Sequence, residues 1–129
     1  SSAASDVYKR QALDAAISIA KKNKITVAVT GAIDYVTDGH VTYAIEGGHE
    51  MMTKVTATGC ALTCLIGAAV AVGENKLLST ALIIGIYDLA GEMASKVSKG
   101  PGSLRMNLLD KLYNISSDEI INNVKIKNV

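Results

Sequence analysis

The sequence runs to 129 residues, 49% of them hydrophobic and 19% charged, which is enough apolar material for one compact domain and too much for a disordered chain. Lysine and arginine are scattered and the formal charge is +1, so the basic footprint that neutralises the phosphates of DNA or RNA is missing and no nucleic-acid partner is expected. The two cysteines, Cys60 and Cys64, lie four apart in one helix-like run, which argues against a structural disulfide and a zinc site and fits a reducing, cytoplasmic setting.

Residues Ser1 to Gln11 (SSAASDVYKRQ) match the translation of one reading frame of a widely used transposon-type sequencing adaptor. They are expected to be a non-native segment, with the fold beginning at Ala12. From there Leu13, Ala16, Ile17 and Ala20 carry a helical period, closed by Lys21, Lys22 and Lys24 where positive charge suits a helix C-terminus. Ile25 to Thr30 (ITVAVT) is β-branched without polar alternation, the pattern of a strand buried on both faces in a mostly parallel sheet, and Gly31 ends it. Asp34–Thr37 and Val41–Ile45 read as two strands of a hairpin joined by Asp38-Gly39, a dipeptide that favours tight turns. This turn chemistry also accounts for Asp38, and a strand start accounts for Asp34, ahead of any reading of the two as a working carboxylate pair.

After Gly47-Gly48 a loop over His49–Val55 reaches Thr56-Ala57-Thr58-Gly59 and enters an apolar helix from about Cys60 to Val72. A second apolar helix, roughly Leu77 to Lys96, is hydrophobic around so much of its circumference that it must be core. Its stretch Leu77–Leu89 is broken by Ser79, Thr80, Gly85, Tyr87 and Asp88 and falls short of the roughly 20 residues that cross a bilayer, so no membrane segment is expected. Gly100-Pro101-Gly102-Ser103 breaks the chain, with Ser103 expected to cap a helix bearing Leu104, Leu108, Leu109 and Leu112. Ser116 and Glu119 have capping-box spacing, and Val124–Ile126 is a candidate last strand.

The chemistry concentrates at Thr56-Ala57-Thr58-Gly59-Cys60. Small residues let backbone approach a ligand, and the free amides and positive dipole end of a helix start favour phosphate and lower the pKa of a thiol placed there. Cys60 is therefore a candidate base, although a small buried cysteine at a strand-to-helix junction is the commoner role and is favoured by spacing alone. Cys64, one turn on, reads as core. His49 reads as a hydrogen-bonded structural histidine before a proton shuttle, and Glu92 with Lys96 as a surface pair one helical turn apart.

The stretch GGHEMMTKVTATGCALT resembles the signature of the hydroxyethylthiazole kinase family, which reads close to NGH, two residues, then MTKVTGTGC. The likeness runs from Ala12 to the C-terminus through Val29-Thr30-Gly31, Ala90-Gly91-Glu92 and Gly100-Pro101-Gly102-Ser103. It implies that residues 12–129 are the C-terminal half of a single ribokinase-like kinase domain, an α/β three-layer fold present in part, with a mostly parallel sheet flanked by helices. The activity implied is transfer of phosphate from ATP, with magnesium, to 4-methyl-5-(2-hydroxyethyl)thiazole in thiamine salvage, by a homotrimer with active sites at subunit interfaces.

Carried over by position, Thr30 matches a threonine that contacts ATP, and Ala57 stands where a glycine contacts the thiazole. Gly59 and Cys60 match the anion-hole and catalytic-base positions, which reverses the preference for a merely structural Cys60. Ala57 and Gly47 depart from the family pattern, the latter where asparagine is common. The family's remaining nucleotide and magnesium ligands lie upstream of the matched region, so the resemblance implies the centre of the chemistry without a complete site. The rivals are hydroxymethylpyrimidine kinase, which shares a glycine-cysteine helix start, other ribokinase-like kinases, and an inactive truncated fragment. The MTKVT approach favours the thiazole.

Overall fold

The computed structural model describes residues 2–129, with side chains from Val7 onward. Helix α1 (Ser2–Asn23) buries Ala16 and Ala20 and carries Lys21 and Lys22 in its last turn. Of the expected adaptor-derived segment, Ser1 lies outside the described residues, and Ser2–Gln11 forms the first part of α1.

Strands β1 (Val27–Val29), β2 (Asp34–Thr37), β3 (Thr42–Glu46) and β4 (Lys125–Asn128) form one sheet in the order β1-β2-β3-β4. Each neighbouring pair is antiparallel, with Ala28 opposite Val36, Val36 opposite Tyr43 and Ile45 opposite Ile126. The mostly parallel sheet expected from ITVAVT is thus overturned. A parallel pair needs a crossover of a dozen or more residues, whereas β1, β2 and β3 follow one another through short links and so must reverse direction. β1 is also shorter than its β-branched run, and Ala28 at its centre is exposed rather than buried on both faces.

The expected hairpin is present. Asp38 Oδ1 accepts hydrogen bonds from the amides of His40 and Val41, each at 2.8 Å, and these amides hold the Asp38 carboxyl below its ordinary range. Gly39 has φ 91°, and a Cβ there would meet the Lys21 backbone of α1 at 2.6 Å, so both dihedral and space require glycine.

A short 3-10 helix (Glu50–Lys54) follows β3, then α2 (Thr58–Val72), α3 (Lys76–Ser95), α4 (Pro101–Asn114) and α5 (Ser117–Asn123). The register puts Asp34, Val36, Tyr43, Ile45 and Ile126 on one sheet face, and α3 packs against β2, β3 and β4. Gly85 lets it come close: a Cβ there would lie 2.6 Å from Val124 Cγ1. With α2 and α4 against its other sides, α3 is the core helix its composition requires, and Ile84 joins Val36, Ile45 and Leu104 in a fully buried centre. Lys76–Ser95 does reach the length and mean hydropathy of a membrane span, 20 residues at 1.4, contrary to the shorter stretch counted from sequence. Its burial against α2, α4 and the sheet is that of a core helix.

Smaller corrections concern caps. α4 starts at Pro101, suited to a first helical turn by its fixed φ and missing N–H, and Ser103 reaches back from inside the helix to accept from the amides of Lys99 (2.9 Å) and Gly100 (3.2 Å). The Ser116–Glu119 capping box is formed as expected.

Candidate active site

Three loops meet above the α3-facing side of the sheet. The first, Thr30–Ile33, links β1 to β2, and its Gly31 amide donates to Asp34 Oδ1 at 2.7 Å. The second, Gly47–His49, leaves β3; here His49 Nδ1 accepts from the Met51 amide at 3.1 Å, so the histidine caps the 3-10 helix in the structural role expected of it. The third is the approach to α2. Together they frame a cavity of about 870 Å³ lined by Thr30, Gly31, Gly48, Thr58, Gly59 and Thr63, with Asp34 and Asp88 among the groups at its wall.

The entry to α2 is built locally. Ala57 is the N-cap, with φ 70° and ψ 10°, a left-handed conformation that reverses the chain into the helix. Its methyl group cannot accept a hydrogen bond, so the amides of the first turn, Thr58, Gly59 and Cys60, have no side-chain cap and remain available to solvent or an anion. Two hydroxyls brace this turn. The Thr58 hydroxyl lies 3.2 Å from the Val55 carbonyl and 3.3 Å from that of Met52, and the Tyr87 hydroxyl of α3 donates to the Thr58 carbonyl at 3.0 Å. Burial raises the Tyr87 pKa, with the charge of Asp88 adding to it.

Of the four residues singled out from sequence, Thr30 and Gly59 line the cavity, while Ala57 and Cys60 are exposed chain neighbours of its lining and are not part of it. Both cysteines are exposed free thiols. The core reading of Cys64 is therefore corrected: α2 is apolar along its length, yet Leu62 is its one buried residue. A Cβ on Gly47 would stand 3.0 Å from Asp88 Cβ, so what fits at 47 depends on what stands at 88.

Sequence reasoning missed Asp88 and Tyr87 as parts of this site. Asp88 is 8% exposed, its Oδ2 has no hydrogen-bond partner, and it meets Asp34 across the α3–β2 interface. Burial first, then the hydrogen bond and charge of Asp34, push its pKa up to about 8. The available signal was a Tyr-Asp pair in the middle of an otherwise apolar helix. Asp34, assigned to a strand start, does begin β2 and is also half of this carboxyl pair.

Comparison with known proteins adds the following. The model of the family described as "Hydroxyethylthiazole kinase family" matches residues 3–118. A hydroxyethylthiazole kinase of Zea mays is 41% identical over 116 residues, 89% of this chain and 41% of that protein. One from Granulibacter bethesdensis is 47% identical over 111 residues, 86% of this chain and 40% of its own. The chain thus spans about two fifths of the length of these curated relatives. The solved structure of a hydroxyethylthiazole kinase protein from Pyrococcus horikoshii OT3 superposes with a TM-score of 0.89 at 38% identity, over 98% of this chain and 49% of that one.

Proposed function

The chain belongs to the hydroxyethylthiazole kinase family, and from that membership we propose that the protein carrying it transfers the terminal phosphoryl group of ATP to the hydroxyl of 4-methyl-5-(2-hydroxyethyl)thiazole. The observation that carries the reading is the start of α2. A left-handed Ala57 turns the chain so that uncapped amides open the helix, and Gly59 shares one cavity wall with Thr30.

In this mechanism Cys60 takes the proton of the acceptor hydroxyl while that oxygen forms a bond to phosphorus and the bond from phosphorus to ADP breaks. The Gly59 amide stabilises the charge on the transferring group, Thr30 holds the nucleotide, and the Ala57 backbone contacts the thiazole. ATP, when bound, supplies the electrophilic phosphorus and ADP as the leaving group. The uncapped first turn fits a phosphate. Magnesium, when bound with the nucleotide, would offset phosphate charge; among the described residues no group of three or more His, Cys, Asp or Glu forms a ready metal site, and this reading puts its ligands upstream of the matched region. The same reading makes the enzyme a homotrimer. It places the enzyme in the cytoplasm, which suits two exposed free thiols.

The test is ATP-dependent phosphorylation by the full-length protein, with the thiazole alcohol offered beside the pyrimidine alcohol and ribose. Preference for the thiazole is expected. Preference for either competitor would overturn the substrate assignment.

A further inference from the structure

Two loops that border the cavity lie against one pair of acids. Asp34 accepts the Gly31 amide at 2.7 Å and so fixes the turn that carries Thr30. Asp88 lies under the other loop, where a Cβ on Gly48 would come 3.6 Å from its Oδ1 and one on Gly47 3.0 Å from its Cβ. The two carboxyls meet across the α3–β2 contact, and Asp88 keeps one oxygen buried without a partner. Two carboxylates in such contact cannot both be charged at low cost, and a shared proton turns their repulsion into a hydrogen bond.

We propose that Asp34 and Asp88 form a proton-sharing carboxyl pair that positions the Thr30–Gly31 turn against the Gly47–Gly48 loop, and thereby sets the affinity of the site for its nucleotide. This rests on the nucleotide role proposed above for Thr30. Neither acid touches the reacting atoms in the mechanism; both act through the loops they pack against or bond.

The surroundings leave the pair to its own proton. Asp34 is the charged group facing Asp88 from β2, and Tyr87 adjoins it on α3. From the loop after β3 and the 3-10 helix that follows it, His49 and Glu50 line the same cavity. The buried residues of α4, Leu104 and Leu108, and of α2, Leu62, carry no charge. With the Asp88 carboxyl raised to about 8, the pair holds its proton at neutral pH and loses it in mildly alkaline solution, when repulsion pushes the Gly31 turn away from α3.

The experiment measures, for the full-length protein and its Asp88→Asn variant, the dissociation constant of a non-hydrolysable ATP analogue with magnesium from about pH 6.5 to about pH 9.5. Affinity in the unaltered protein should weaken about fivefold or more across this range, while Asp88→Asn, a permanent neutral hydrogen-bond partner, should bind with nearly constant affinity. Carboxyl carbon NMR of the unaltered protein gives a second reading that does not depend on the variant folding: the pair should keep one proton at pH 7. Equal pH dependence in both proteins, or two ionised carboxylates at pH 7, would overturn the inference while leaving the kinase reading intact. Absence of nucleotide binding at every pH would overturn both.

Discussion

Ala57 holds a backbone conformation that suits glycine. A left-handed φ of 70° brings the Cβ of an L residue close to its own carbonyl and costs about 1 kcal/mol or more. Ala57→Gly should therefore stabilise the protein by about 0.5–1 kcal/mol in urea denaturation, the relief being partly offset by the greater freedom of glycine in the unfolded chain. Lower stability in that variant would contradict the reading of the turn. Asp88 gives the second prediction at this scale. Its folded pKa of about 8 exceeds the ordinary 3.8, so its contribution to stability is complete below the ordinary value and is lost as pH rises toward and through 8. Thermal melts of Asp88→Asn should gain on the unaltered protein between about pH 5 and about pH 8, by an amount on the order of 1–3 kcal/mol at the alkaline end. At this scale the sequence was most informative where chemistry is local. Gly59-Cys60 at a helix start and Asp38 in a turn follow from neighbours in the chain, whereas the pairing of Asp34 with Asp88 depends on α3 crossing β2.

The elements divide along the same line. The β2–β3 hairpin and the Ser116–Glu119 cap were legible because their hydrogen bonds close within a few residues. α3 was legible because a helix apolar on all sides, yet carrying Thr80, Tyr87 and Asp88, must pack among other elements. The direction and burial of β1 are not legible, since a β-branched run fixes neither its strand partners nor what covers it, and the place of Ser103 within α4 differs by a few residues because helix ends admit more than one capping pattern. The contact that matters most between elements is the Tyr87 hydroxyl on the Thr58 carbonyl, 3.0 Å, which braces the start of α2 from α3. Tyr87→Phe should cost about 0.5–1.5 kcal/mol of stability and lower kcat more than it raises KM, because it loosens the turn that carries Gly59 and Cys60. Unchanged kcat in a folded Tyr87→Phe protein would show that the brace has no bearing on catalysis.

For the molecule as a whole, the chain superposes on 49% of a thiazole kinase structure and spans about two fifths of its curated relatives. Within it α2 leaves Cys64, Ala68 and Val72 exposed, and β1 pairs through β2 alone. An open strand edge beside an apolar helix face favours association. Residues 1–129 on their own should therefore self-associate as concentration rises in analytical ultracentrifugation and should show negligible phosphorylation of the thiazole alcohol; a monodisperse, active 129-residue chain would contradict this. The assignment of chemistry to the start of α2 has its most direct test in the turnover of full-length Cys60→Ser with ATP and the thiazole alcohol, alongside a check of retained fold. A fall in kcat of about 100-fold or more is predicted, since a serine hydroxyl ionises far less readily than a cysteine thiol and serves less well as a base. Unchanged turnover in the folded variant would contradict it.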